Sequence, residues 1–451
     1  MSVTTFSLPD YQIGFAAGHY YPPDIRRPYY MVDPKLYLQY GTTDQRRGKL
    51  RNALQEVQCR TGWNYFGKTY PLQARTLMYS AKAFPAYRFI LPEVMTEDWL
   101  AIVDWGKFQR DHVLHQPLCG YVILKLLELT LANGSSLLDE CVNKILRWKE
   151  TTYIRDFLIH YGISPRDPII QSDNPVAHRV WRIWFREAAY MAAIFHDLGY
   201  PWQYAERLQC NLDGINTPAI RPNSSAEQII ELFKYRLLFY VLNGYKMPEA
   251  VSPSTWHEKI RGITNMALTQ THGFPGALGF LHLNDCIRKY PSPRESPMHL
   301  LCIEWAALAI MMHDMTKVYW GSGSKTDTGT PDNSFLRLNF DRDPLSAIVA
   351  LTDIIQDFER PSAVFNTDTC PRCPNGVLLR YDIACDATEL EVDTHSATWT
   401  IRYRMKDTRA LARKLKTIAK ENRSLFDYRY GYFDISSLEI NKMKLTAVLS
   451  S

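Results

Sequence analysis

Apolar residues between Val176 and Phe195 return at Val176, Val180, Trp184, Ala188, Met191 and Phe195, close to the 3.6-residue period that predicts a helix. Glu304 to Asp314 and Leu345 to Phe358 read as helices too, the second with Pro344 at its first position after Asp343 as cap. Leu118 to Leu131 is a further apolar helix, interrupted by Lys125 and Glu128 and too short and polar to span a bilayer. Past Pro361 the period changes to two. Leu379, Tyr381, Ile383 and Cys385 alternate with polar neighbours, as do Trp399, Ile401, Tyr403 and Met405, which predicts half-buried strands. Thr408 to Asn422 is an amphipathic helix on Leu411, Leu415, Ile418 and Ala419, and Tyr432 to Ile440 reads as a third strand. The expected fold is mainly α, with a small C-terminal α+β module of β-β-α-β order.

Three regions follow from this pattern. Residues 1–95, rich in Tyr and Pro, read as an irregular N-terminal layer packed on the core. Residues 96–360 form the helical domain, and 361–451 the α+β module. Gly321 to Pro331 is a polar loop long enough to serve as a lid. A chain of 451 residues exceeds one ordinary core, and 46% hydrophobic content with a net charge of only +5 excludes a disordered chain. The first ten residues lack a basic and apolar leader, so a cytoplasmic protein with reduced thiols is expected, bound to no membrane. Cys370 and Cys373 make one CxxC, and a zinc site would need a second pair that the sequence does not offer.

The chemistry concentrates in histidines and aspartates at predicted helix ends. His196-Asp197 closes a long apolar helix, where burying an imidazole and a carboxylate costs free energy unless both are paired or bound to a metal. Around it lie RDHVLHQ (110–116), THGFPGAL (271–278), AIMMHD (309–314) and DPLSAIVALTDIIQDFERP (343–361). The order H…HD…H…H…D can supply six ligands, enough for two divalent ions bridged by one carboxylate. His112 competes with His115 one turn away, and His299 competes with or supplements His313. Asp353 is preferred over Asp357 for its apolar neighbours. Asp314 and His282 are given no role. Arg179, Arg182 and Arg186 share one helix face and read as solvated or ion-paired rather than as a phosphate track.

With FHDLGYP (195–201), these phrases resemble the HD-domain metal-dependent phosphohydrolase superfamily, its two-metal branch above all, over residues 96–360. The resemblance implies a ligand set of His115, His196, Asp197, His272, His313 and Asp353, with Asp197 bridging two ions such as Mn or Fe, or else Mg, Zn or Co. It implies a hydrolase that cleaves a nucleotide phosphoester or phosphoanhydride with metal-activated water. A (deoxy)nucleoside triphosphate hydrolase leads and a cyclic-nucleotide phosphodiesterase follows. HDLGYP is similar to the HD-x-G-H-P string of deoxynucleotide triphosphohydrolases, but Tyr200 stands in place of their second His. The separate GYP motif of cyclic-dinucleotide phosphodiesterases is missing. The inositol oxygenases resemble the same ligand order with two irons and O₂, which keeps a di-iron oxygenase as the alternative from another class.

Cations beside the ligands would meet phosphate. Lys317, one turn after His313, is the first candidate for catalysis and substrate binding, against a reading as a solvated helix-end cation. Arg110, Tyr319 and Arg360 come next. Seven basic and two acidic residues between Lys406 and Arg423 account for the whole net charge, so the helical core is electrically balanced. The C-terminal module is therefore where an effector nucleotide, a partner protein or a second subunit of a homo-oligomer is expected to dock.

Overall fold

The computed structural model describes residues 2–7, 112–131, 133–149, 159, 163–167, 169, 174–200, 271–288, 297–315, 338–341, 343–358, 361–365, 379–427, 431–434, 440 and 442–450. These residues are mainly helical, with a four-stranded sheet.

The helical part contains α1 (His112–Leu127), α2 (Leu137–Lys149), α3 (Pro175–Phe195), α4 (Gly273–Arg288), α5 (Pro297–Met312) and α6 (Pro344–Ile355). Asn174 caps α3 by accepting from Val176 N, and Pro175 sits at the start, where its missing N–H costs nothing. Asp343 caps α6 by accepting from Ser346 N at 3.1 Å, with Pro344 at the first turn as its sequence predicts. α3 packs against α1, α2, α5 and α6 and is the axis of the core. Trp181 and Phe185 from α3 meet Trp305 of α5 edge-on at 6.2 and 5.6 Å between centroids.

The buried stripe of α3 runs through Ala177, Trp181, Phe185, Ala188, Ala192 and Phe195. That differs from the expected face at its N-terminal end, where Val176 is 50% exposed and Val180 and Trp184 are half-buried. The first turns follow α5's tryptophan rather than the bulkiest alternation. On the other face, Arg186 pairs with Glu128 at 3.4 Å and Arg182 pairs with Asp139, while Arg179 is exposed. That face is ion-paired within the helical body.

The sheet has order β1 (Ser2–Ser7), β5 (Cys385–Asp393), β6 (Thr398–Met405), β8 (Lys442–Leu449). β1 and β6 run antiparallel to β5, and β8 runs parallel to β6. The parallel pair needs a crossover, which α7 (Thr408–Phe426) supplies. Two further pairings are short: β2 (Leu338–Asn339) with β7 (Phe433–Asp434), and β3 (Pro361–Phe365) with β4 (Leu379–Ile383).

The β-β-α-β order appears, with three differences. The run 379–386 is split between β4 and β5, which pair with different strands. The last sheet strand is Lys442–Leu449, and within 432–440 the strand Phe433–Asp434 pairs with β2 instead. The outer strand comes from the N-terminus, residues assigned by sequence to a layer on the helical core. Phe6 of β1 is fully buried and meets Tyr121 of α1 at 6.2 Å, while Lys125 of α1 donates to Thr5 O. Residues 8–95, the loop 321–331 and the CxxC at 370–373 lie outside the described residues. Cys119, Cys141, Cys302 and Cys385 are free thiols, and no described helix is long and apolar enough to cross a membrane.

Candidate metal centre

Five helices deliver their ends to one point. His115 lies in the first turn of α1, His196 and Asp197 follow α3, His272 precedes α4, His313 and Asp314 follow α5, and Asp353 lies in the last turn of α6. Three tight turns must therefore touch. A Cβ on Gly199 would lie 1.8 Å from His272 O, and one on Gly273 would lie 2.7 Å from Ile310 O. Only glycine permits that approach.

Asp197 is the hub. One of its oxygens lies 2.9 Å from His272 Nε2, 3.3 Å from His196 Nε2 and 3.7 Å from His313 Nε2, and the other lies 3.4 Å from His115 Nε2. Asp353 Oδ1 reaches His115 Nε2 at 3.0 Å and His196 Nε2 at 3.6 Å. The four imidazoles and Asp197 are at most 5% exposed, whereas the Asp353 side chain is 35% exposed. Solvent meets the centre at Asp353.

Each imidazole has an oxygen close to its Nδ1. His196 Nδ1 lies 2.7 Å from Ala193 O, and His313 Nδ1 lies 2.5 Å from Ile310 O, each carbonyl three residues back at a helix end. His272 Nδ1 faces Asp314 Oδ2 at 2.7 Å, and His115 Nδ1 faces Gln356 Oε1. Gln356 Nε2 donates to Phe358 O at 2.7 Å, which fixes the amide with its oxygen toward His115. These acceptors assign the protons to Nδ1 and turn the Nε2 lone pairs inward. Yet His115 Nε2 and His196 Nε2 stand 3.0 Å apart, as do those of His272 and His313. Facing lone pairs at that distance repel unless a cation or an added proton lies between or beside them.

The electrostatics of the cluster agree. Burial disfavours the charged form of His196, but Asp197 and Asp353 outweigh it and push the imidazole up to about 10. Burial lowers His313 despite its hydrogen bond to Asp197, helped by the charges of His196 and His272. For Asp353 burial acts upward, and the hydrogen bonds from His115 and His196 overcome it, holding the carboxyl well below its usual range. Four imidazole nitrogens and two carboxylates thus converge on one buried point. That donor set, nitrogen plus carboxylate oxygen, fits a divalent cation.

Among the described residues, two clusters have ligand atoms within 4.8 Å of one another: His115, Cys119, His196 and Asp353, and His196, Asp197 and His313. All six sequence-derived ligands come together. Cys119 was missed, although it lies one turn after His115, with Sγ 3.6 Å from Nδ1. Asp314 was given no role, but its Oδ2 lies 2.7 Å from His272 Nδ1 and accepts from His272 N at 3.0 Å. Gln356 was also missed, three residues after Asp353 and hence on a neighbouring helix position. Tyr200 stacks on His272 at 3.8 Å and 17° and closes the back of that ring.

The C-terminal segments touch the centre's supports. Tyr403 OH donates to Ile354 O at 2.9 Å, Lys414 pairs with Asp357 at 3.1 Å, and Tyr432 OH donates to Met312 O. Asp357 thus faces the C-terminal helix, and Asp353 faces the histidines. Lys317, Arg110, Tyr319 and Arg360 lie outside the described residues, as do the side chains of His112, His282 and His299. No family model, curated protein or solved structure matches this chain.

Proposed function

We propose that the chain is an HD-type metal-dependent phosphohydrolase holding two divalent ions and cleaving a nucleotide phosphoester or phosphoanhydride, with a (deoxy)nucleoside triphosphate as the leading substrate. One observation carries this reading: four buried imidazoles have their Nδ1 atoms engaged and their Nε2 atoms turned on Asp197. His115, His196 and Asp353 would hold one ion, His272 and His313 the other, with Asp197 between them. Bound there, the ions would supply a water of lowered pKa and offset charge on the phosphoryl oxygens.

The chain's own residues do the positioning. Ala193 O, Ile310 O, Asp314 and Gln356 orient the imidazoles, so no reorientation is needed when a ligand enters. Tyr200 excludes water behind His272. Half-buried Asp353 marks the side from which substrate would approach, and Lys317 and Arg360 follow His313 and Asp353 closely enough in sequence to meet its phosphates.

The test has two arms. Metal analysis of the purified chain is expected to give two ions per chain, and a nucleotide panel with Mn²⁺ resolved by chromatography should show cleavage that His196→Ala abolishes. A metal-free protein without cleavage sinks the reading. Bound iron with O₂ uptake on a polyol, and no nucleotide cleavage, would replace it with an oxygenase.

A further inference from the structure

α7 carries a row of cations that the metal centre does not use. Arg409, Arg413, Lys416, Lys420 and Arg423 are all exposed. Their spacing of 4, 3, 4 and 3 residues puts them in one arc about 80° wide, over about 21 Å of helix. The opposite side, with Leu411 and Ile418, packs on the sheet and core. Elsewhere, Lys144, Arg182, Arg186, Arg402, Arg404 and Lys414 each lie against a carboxylate. Among the described residues no carboxylate lies against any of the five, and the acid on their helix, Glu421, faces Lys414 at 4.0 Å instead.

Four successive pairs in the row sit three or four residues apart with like charge, an arrangement that destabilises a helix. Nothing among the described residues compensates it. A polyanion lying along the row would, because each phosphate would offset two neighbouring cations.

We propose that the outer face of α7 is a binding surface for the phosphate backbone of a nucleic acid, read without base specificity. Its convex, rigid row of charges about 5 Å apart along the axis suits a linear polymer of phosphates. It offers no concavity for a single effector nucleotide. A membrane surface is disfavoured by what flanks the row, namely Ala412 and Ala419 on one side and Thr417 and Ser424 on the other. A helix lying in a bilayer interface needs its apolar face beside the cations, and here that face is buried on the sheet. Leu415 is 48% exposed but stands about 120° from the centre of the row.

The experiment uses the full chain and a fluorescein-labelled single-stranded oligodeoxythymidine of about twenty nucleotides, followed by anisotropy. If all five cations contact phosphate, log K should fall with log salt concentration at a slope of about −3.5. The combined variant Arg409→Gln, Arg413→Gln, Lys416→Gln, Lys420→Gln, Arg423→Gln should bind at least about tenfold more weakly. Gln keeps helix propensity and the change removes the like-charge pairs, so circular dichroism should show the fold retained. The metal centre is intact in both proteins, so the difference reports the row alone. Lys442→Gln with Lys444→Gln, cations of β8 outside the row, should stay within about twofold of the parent. Absence of binding by the parent overturns the proposal. So does equal binding by the fivefold variant, and so does a preference for phosphatidylglycerol vesicles that is lost in that variant.

Discussion

Two helices of this molecule begin in the same way and end in different physical worlds. α6 starts with Asp343 accepting from Ser346 N, three residues on, and α7 starts with Asp407 accepting from Ala410 N at the same spacing. α6 is buried from Pro344 to Thr352 and carries Asp353 to the histidine cluster. α7 buries Ala410, Ile418 and Phe426, half-buries Leu411 and Leu425, and gives its cationic side to solvent. Asp343 is fully buried and Asp407 is exposed. The capping bond is the same, so the difference lies in what a charge costs at each place. Around the candidate metal centre each of the four imidazoles lies within 3.7 Å of the buried carboxylate of Asp197. In the C-terminal module, pairs such as Arg402–Glu391 at 2.5 Å and Arg404–Glu389 at 2.6 Å remain partly exposed, where solvent screens them.

The largest effect expected from this contrast is at Gly199. Replacing it with Ala would put a Cβ 1.8 Å from His272 O and 2.5 Å from Gly276 N, both backbone atoms that cannot swing aside. The turns bearing His196 and His272 would have to separate. Gly199→Ala is expected to destabilise the fold by roughly 3 kcal/mol or more and to lower the metal content with it. Thermal denaturation and metal analysis check both. A variant with unchanged melting temperature and full metal content would show that the turns have slack.

The same contrast explains what could be read in the sequence. Helix ends that bury His and Asp in an apolar context are hard to satisfy otherwise, so the spacing of His115, His196, Asp197, His272, His313 and Asp353 was legible, and the structure gathers all six. What supports them was not. Asp314 looks like any acid beside a helix end until His272 is placed over it, and Gln356 gains its role only when His115 arrives from 241 residues away. Strand existence followed from alternation, whereas strand partnership did not. Nothing in the local pattern of Ser2–Ser7 says that it will pair with Cys385–Asp393, because pairing depends on which edge is left open. The third expected strand is found in part, since Phe433–Asp434 lies within 432–440 but pairs with β2. Both 432–440 and 442–449 are rich in apolar residues, and the local pattern does not say which pairs with β6.

A second effect, somewhat smaller, separates the two caps by pH. Burial pushes the Asp343 carboxyl up to about 6 from 3.8, against the opposing hydrogen bonds from Ser346, and its Oδ2 has no partner among the described residues. The folded chain therefore holds this proton more tightly than the unfolded chain. The stability that this contributes is present below about pH 4, falls as pH rises through the window from 4 to 6, and is gone above it. A shift of about two units corresponds to about 3 kcal/mol. Asp343→Asn keeps an acceptor for Ser346 N and removes the titration. Denaturant unfolding at a series of pH values should show the parent losing stability relative to the variant between about pH 4 and 6. Parallel curves would mean that Asp343 is solvated well enough to ionise freely.

The smallest effect belongs to the exposed cap. Asp407→Ala removes the acceptor from Ala410 N, 2.7 Å away, and leaves that N–H to water, which can reach this turn. The cost should be about 1 kcal/mol, the usual value for losing a helix N-cap. The variant also removes a negative charge from the positive end of α7, and that end already carries Arg409. Added salt should therefore reduce the deficit, because it screens the charge part and leaves the hydrogen-bond part. Asp407→Asn separates the two, since it retains the acceptor and loses only the charge. Equilibrium unfolding at low and high salt should place Asp407→Asn between the parent and Asp407→Ala at low salt, and close to the parent at high salt. A loss of several kcal/mol from Asp407→Ala, unaffected by salt, would mean that this cap is as solvent-poor as Asp343, and the contrast between the two helices would fail at its exposed end.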